Sequence, residues 1–153
     1  MLLDGKLVRN KLLENLENEF KNIKTTFVVI QVGDDFASNK YIKQKEKMAN
    51  QLGVQFKLEK FDKATTEEVN SVIKKYNEDK SVSGIIVQLP LPDNIDYESI
   101  RNNISFVKDI DGVNDINRIK LVDGKNDALV PCTALGIMKI FDFYNIDLAG
   151  KDV

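Results

Sequence analysis

The chain has 153 residues, 42% hydrophobic and 30% charged, with a formal net charge of -2. That length carries one α/β domain with its own core, and the near balance of acid and base, without a long Lys/Arg cluster, argues against a nucleic-acid surface. The single cysteine, Cys132, excludes an internal disulfide, and the absence of histidine removes the commonest metal ligand and general base.

Acid-base chemistry therefore falls to Lys, Tyr, Asp, Glu or Cys132, and no metal site is expected. The N-terminus is too charged for a signal peptide, and no apolar run approaches the roughly 18 residues of a membrane span. These features predict a soluble, cytoplasmic protein without nucleic-acid or membrane partners.

Taken in order, Leu7, Val8, Leu12, Leu13, Leu16 and Phe20 mark one stripe of an amphipathic helix over residues 6–22, expected to pack on a sheet. Residues 27–32 (FVVIQV) form a short apolar, β-branched run suited to a strand buried on both faces. After a loop at 33–37, Ser38 is the expected cap of a helix over 38–52 whose first turns carry Tyr41 and Lys45, four residues apart on one face. A second strand is predicted at 54–61. Thr65 or Thr66, with Glu67 and Glu68 behind it, opens a helix through about Tyr76.

A third strand is predicted over 84–89 (GIIVQL), halted by Pro90, which cannot donate to a ladder. Residues 93–107 read as a loop and a short helical segment, and 108–112 (KDIDG) as a tight polar turn. Thr133 is the expected cap of a helix over 134–144, and the last residues, NIDLAGKDV, have the pattern of a chain entering another strand. This alternation predicts an α/β fold, three layers with a mainly parallel sheet. Right-handed crossovers bring the 32–45 stretch and residues 88–92 to one sheet edge, where such folds bind ligands; strand order stays open.

Each motif has an ordinary structural reading when taken alone. A Tyr/Lys pair at this spacing suits a solvated helix face, Gln88 can satisfy a loop carbonyl, Asp109 and Asp111 can serve the turn backbone, and PCT can be a buried thiol before a helix cap. In combination and in this order, however, ASNKYIKQK, GIIVQLPLP, KDIDG and PCT resemble the bifunctional methylenetetrahydrofolate dehydrogenase/methenyltetrahydrofolate cyclohydrolase family. The likeness runs from LLDGK at Leu2 to LAGKDV at the end.

That resemblance implies a folate-binding catalytic domain over residues 1–132 and, over 133–153, an inter-domain helix and the start of a Rossmann-type cofactor domain. It implies oxidation of 5,10-methylenetetrahydrofolate with NADP and hydrolysis of the methenyl product to 10-formyltetrahydrofolate. Lys45 becomes the central acid-base residue, Tyr41 a ring stacked on the pterin, Gln88 the partner that positions Lys45, and Asp111 the anchor for the pterin amino end. Val87 and Leu89 line the folate pocket, and Thr133 lies near the cofactor. A flat, amide-edged pterin suits a stacking ring, a carboxylate and an amide, and an ammonium enclosed beside it loses hydration, which favours proton release.

The sequence departs from the family pattern at Asn114, Asp115, Ile119 and Ala134, and it contains no G-x-G-x-x-G element. The chain is accordingly expected to be the folate half of a truncated enzyme, weakly active or inactive alone. The intact enzyme is expected as a homodimer and the isolated half as a monomer. The rival expectation is a non-catalytic folate-binding or interaction module.

Overall fold

The structure is a computed structural model describing residues 2–152. In chain order its elements are α1 (Gly5–Phe20), β1 (Thr26–Val32), α2 (Phe36–Gln51), β2 (Gln55–Phe61), α3 (Thr66–Glu78), β3 (Val82–Val87), α4 (Tyr97–Asn103), α5 (Asp115–Val122) and α6 (Cys132–Phe143). The strands form one wholly parallel sheet in the order β2, β1, β3. The α/β reading of the sequence holds, and β1 is the central strand.

Alternation along β1 sends its side chains into two different cores. Val28, Ile30 and Val32 face α3 and α4, where they meet Val69, Ile73, Tyr76, Ile100 and Ile104. Val29 faces the opposite way, towards Ile42 of α2 and Ile86 of β3, with Phe27, Phe56 and Ile110 around them. Helices thus cover both faces, giving the expected three layers. Each fully buried apolar side chain contributes roughly 1.5–3 kcal/mol before conformational entropy is set against it. β2 is an edge strand whose Lys57 and Lys60 stand exposed, a charge pattern that blunts edge pairing.

The segment 108–112 is tied to this frame at two points. Asp109 makes a single parallel bridge to Ile85, whose N–H donates to the Lys108 carbonyl at 2.8 Å. The Lys108 ammonium donates to the carbonyls of Tyr76, Asn77 and Asp79 at 2.8, 2.8 and 2.7 Å, the groups left free at the end of α3. The turn is therefore fastened both to β3 and to a helix terminus.

Several expectations need correction. α2 starts at Phe36 because Asp35 supplies the cap, its carboxylate accepting from the Ser38 N–H at 2.7 Å. Ser38 lies inside the first turn with its hydroxyl free for other work. Thr133 is likewise within the first turn of α6, which follows Pro131 and has no side-chain cap. Thr65 does cap α3, completing a box with Glu68.

α1 does not lie on the sheet in the manner expected: Val8 is its one buried residue, and α6 is its main partner. Residues 145–152 carry turns and irregular chain, and Val153, where the chain was expected to approach another strand, lies outside the described residues. No described helix is long and apolar enough to cross a membrane.

Candidate active site

Lys45 comes from the middle of α2 and Gln88 from the residue just beyond β3, so both project at the carboxyl edge of the sheet. The Lys45 ammonium donates to the Gln88 Oε1 at 2.7 Å, and the Gln88 Nε2 donates to its neighbour's carbonyl, that of Leu89, at 2.7 Å. A carbonyl can only accept, so the bond to Leu89 requires the nitrogen on that side and leaves the amide oxygen for Lys45. The Leu89 carbonyl also accepts from the Ser38 hydroxyl at 3.0 Å. Ser38 is buried, and its bond fastens the start of α2 to the segment that carries Gln88.

Beside this pair lies a cavity of about 160 Å³ lined by Lys45, Val87, Gln88, Leu89, Tyr97 and Asp111, among others. Asp111 is half-buried. Burial raises its carboxyl above the ordinary carboxylate range, the nearby charge of Asp109 adds to that effect, and the Lys45 ammonium opposes it. Burial also raises the phenol of Tyr97, reinforced by Asp111, so Tyr97 is a neutral wall of the cavity. The Cys132 thiol is pushed up by burial and by Asp111 and Asp109, and its sulfur lies 3.0 Å from the Ile110 carbonyl, positioned to donate.

Tyr41 lines a different space, an open groove of about 510 Å³ on the α2 side of the sheet, with Phe27, Met48 and Ile110. Lys45 borders both. The smaller cavity alone is below the roughly 300–1,000 Å³ of a typical small-molecule site, so a ligand of folate size would have to extend past Lys45 towards Tyr41, which is 60% exposed.

Of the residues singled out in the sequence, the structure gathers Lys45, Gln88, Asp111, Val87 and Leu89 around one cavity and Tyr41 on its flank. Thr133 is elsewhere, in the groove between α1 and α6.

Comparison with known proteins decides the family. The model of the tetrahydrofolate dehydrogenase/cyclohydrolase catalytic domain matches residues 3–111, which contain every one of these residues except Thr133. The chain belongs to this family. The bifunctional protein FolD of Nautilia profundicola is 41% identical over 158 residues, covering 99% of this chain and 55% of its own length. The solved bifunctional FolD, methylenetetrahydrofolate dehydrogenase/cyclohydrolase, of Campylobacter jejuni superimposes with a TM-score of 0.95 at 40% identity, over 99% of this chain and 56% of that one. The Trypanosoma brucei methylenetetrahydrofolate dehydrogenase-cyclohydrolase, solved with NADP cofactor and inhibitor, gives a TM-score of 0.82 at 28% identity, over 96% and 51%. The chain thus spans about half the length of the relatives it matches.

Sequence reasoning missed Ser38, whose hydroxyl was assigned to a cap, and Tyr97 and Arg101, which line the cavity from α4. It also missed the whole of α5. That helix exposes Ile116, Ile119, Leu121 and Val122 and buries polar Asn117, so its apolar pattern points to solvent. The one sequence signal for it was Asn114, whose side chain caps the helix by accepting from the Ile116 N–H at 2.8 Å.

Among the described residues no cluster of His, Cys, Asp or Glu could hold a metal ion. Thr133 stands exposed, and among the described residues no glycine-rich turn leads into a helix, so these residues do not by themselves form a cradle for a dinucleotide pyrophosphate.

Proposed function

We propose that this chain is the folate-binding part of an enzyme that oxidises 5,10-methylenetetrahydrofolate with NADP and hydrolyses the 5,10-methenyl product to 10-formyltetrahydrofolate. The observation that carries the proposal is the 2.7 Å bond between Lys45 and Gln88 over a cavity shared with Asp111, within a family defined by that chemistry. Residues 1–132 form the folate-binding domain, and residues 133–153 lead towards the part that takes the dinucleotide. The intact enzyme works in the cytoplasm as a homodimer, without nucleic-acid or membrane partners.

In this reading Asp111 accepts hydrogen bonds from the pterin amino edge, Tyr41 packs its ring on the substrate, and Val87 and Leu89 supply apolar walls. Hydrolysis adds water to an electrophilic amidinium-like carbon and opens the ring, moving protons off the oxygen and onto a nitrogen. In this reading Lys45 moves them, and its bond to Gln88 keeps its side-chain nitrogen beside the reacting carbon. In the intact enzyme NADP would supply the hydride acceptor, and Thr133 is the residue of this chain read as lying towards it. No other residue here is assigned to it.

The test is a titration of the chain with 5-formyltetrahydrofolate, a stable reduced folate, followed by amide and side-chain chemical shifts. Saturable binding centred on Tyr41, Lys45, Gln88 and Asp111 is expected. Absence of saturable binding, or shifts centred elsewhere, would overturn the assignment. The rival reading is a folate-binding module without turnover. Methenyltetrahydrofolate hydrolysis measured on the same sample separates the two.

A further inference from the structure

The loop that presents Asp111 is braced by residues with no part in the chemistry above. Asp109 is completely buried, and no cation pairs with it among the described salt bridges. Its two oxygens accept from the N–H groups of Val113 at 3.2 Å and Asn114 at 2.8 Å, closing the chain around Asp111. The side-chain donor that completes this set is Asn117 of α5, whose Nδ2 lies 2.9 Å from the Asp109 Oδ2. The same nitrogen donates to the Phe106 carbonyl at 2.8 Å, and the Asn117 Oδ1 accepts from the Leu129 N–H at 3.3 Å. Two acceptors on one side and a donor on the other fix the amide orientation.

Asn117 is 1% exposed and joins three separate stretches: the approach to the turn at Phe106, the turn itself through Asp109, and the strap before α6 through Leu129. The strap lies hard against the turn. A Cβ on Gly112 would fall 2.6 Å from the Leu129 carbonyl oxygen and 2.8 Å from the Pro131 nitrogen, so Asp111 is followed directly by a point where two backbones touch.

We propose that Asn117 is a positioning residue for Asp111: by joining Asp109 to the strap at Leu129 it holds the Asp111 carboxylate in its half-buried place and thereby sets the affinity for the pterin edge. The inference rests on the folate reading for its ligand, whereas the clamp itself does not. The charged and titratable groups around Asp111 are Lys45 from α2, Asp109 from the same turn, Tyr97 and Arg101 from α4, and Cys132 from α6. Loosening the clamp hydrates Asp111 without removing any of them.

The experiment compares the parent chain with Asn117→Ala and the milder Asn117→Ser, the second serving if the first does not fold. Two quantities are read on each: the carboxyl carbon shift of Asp111 against pH without ligand, and the dissociation constant for 5-formyltetrahydrofolate. The expected result is an Asp111 titration moved down towards the ordinary carboxylate range, with affinity weakened by about fivefold or more, the equivalent of one ordinary hydrogen bond. A merely structural Asn117 would lower the melting temperature and leave the Asp111 titration where it was. An unmoved titration in a folded variant overturns the inference. A moved titration in a chain that binds no folate, parent included, upholds the clamp and overturns the folate reading.

Discussion

Lys45 and Gln88 lie 43 residues apart in the chain, yet the Lys45 Nζ sits 2.7 Å from the Gln88 Oε1. The approach depends on Ser38, which bonds the Leu89 carbonyl that also holds the Gln88 amide. One carbonyl thus serves the start of α2 and the amide that orients the lysine.

Ser38→Ala removes one of the two donors to that carbonyl and leaves the other. The expected loss of stability is therefore that of one ordinary hydrogen bond, about 0.5–1.5 kcal/mol by urea denaturation. A second expected effect is weaker reduced-folate binding as the Gln88 segment loosens. A variant with parental stability and parental affinity would show that the bond does not organise the site.

Asp111→Asn separates ligand binding from folding. Because burial raises the Asp111 carboxyl in the folded state, ionising it costs stability. The cost is absent below the unfolded-state pKa and fully present once pH exceeds the raised folded-state value. The neutral asparagine should match the parent in acid and be more stable at neutral pH, as melting curves across that window would record. Pterin affinity should move the other way, falling by the worth of a charge-assisted bond, about 1.5–3 kcal/mol. In the parent, affinity should decline as pH drops through the raised value and the carboxylate gains its proton.

Gly112→Ala tests the seam between the turn and the strap. Gly112 has a φ of +66°, and its missing side chain makes room for the backbone at Leu129 and Pro131. Those atoms cannot rotate away as a flexible side chain would. The substitution is expected to cost more than about 1 kcal/mol and to disturb amide shifts from Ile110 to Cys132 first. A silent Gly112→Ala would mean that the strap yields freely.

For the dinucleotide, the chain is expected to show no saturable micromolar binding when NADP is titrated against its amide shifts, since the described residues include no glycine-rich cradle. Saturable shifts around Thr133 would show that α6 carries more of that site than its exposed first turn suggests.

β1 and β3 were legible in the sequence because they are short apolar runs with β-branched residues, and α3 because Thr65 and Glu68 spell out a capping box. That Lys45 and Gln88 would come together was legible from the rule that parallel strands end on one edge, whereas the approach of Asp111 to the same cavity was not. The helix starts were misplaced where two polar residues competed: Asp35 took the cap of α2 and released Ser38 to the Leu89 carbonyl. α5 was invisible because its apolar residues face outward and its buried face is the amide of Asn117. α1 read as a helix packed on the sheet from its periodicity, but its main partner is α6, and both helices leave apolar surface exposed. Local pattern reports which face of a helix is apolar, and not what covers it.

The assignment of Lys45 as the group that moves protons is tested most directly by the rate of 5,10-methenyltetrahydrofolate hydrolysis in Lys45→Gln against the parent, with reduced-folate affinity measured alongside. The measurement is made on the chain itself and on the chain joined to the remaining half of the Campylobacter jejuni relative. Glutamine keeps a donor at similar reach but cannot titrate, so hydrolysis should fall by about 10²–10⁴-fold, the usual worth of general acid-base catalysis, while folate still binds. A Lys45→Gln protein that hydrolyses the methenyl compound at the parental rate would contradict the assignment and leave the bond to Gln88 a structural tie between α2 and β3.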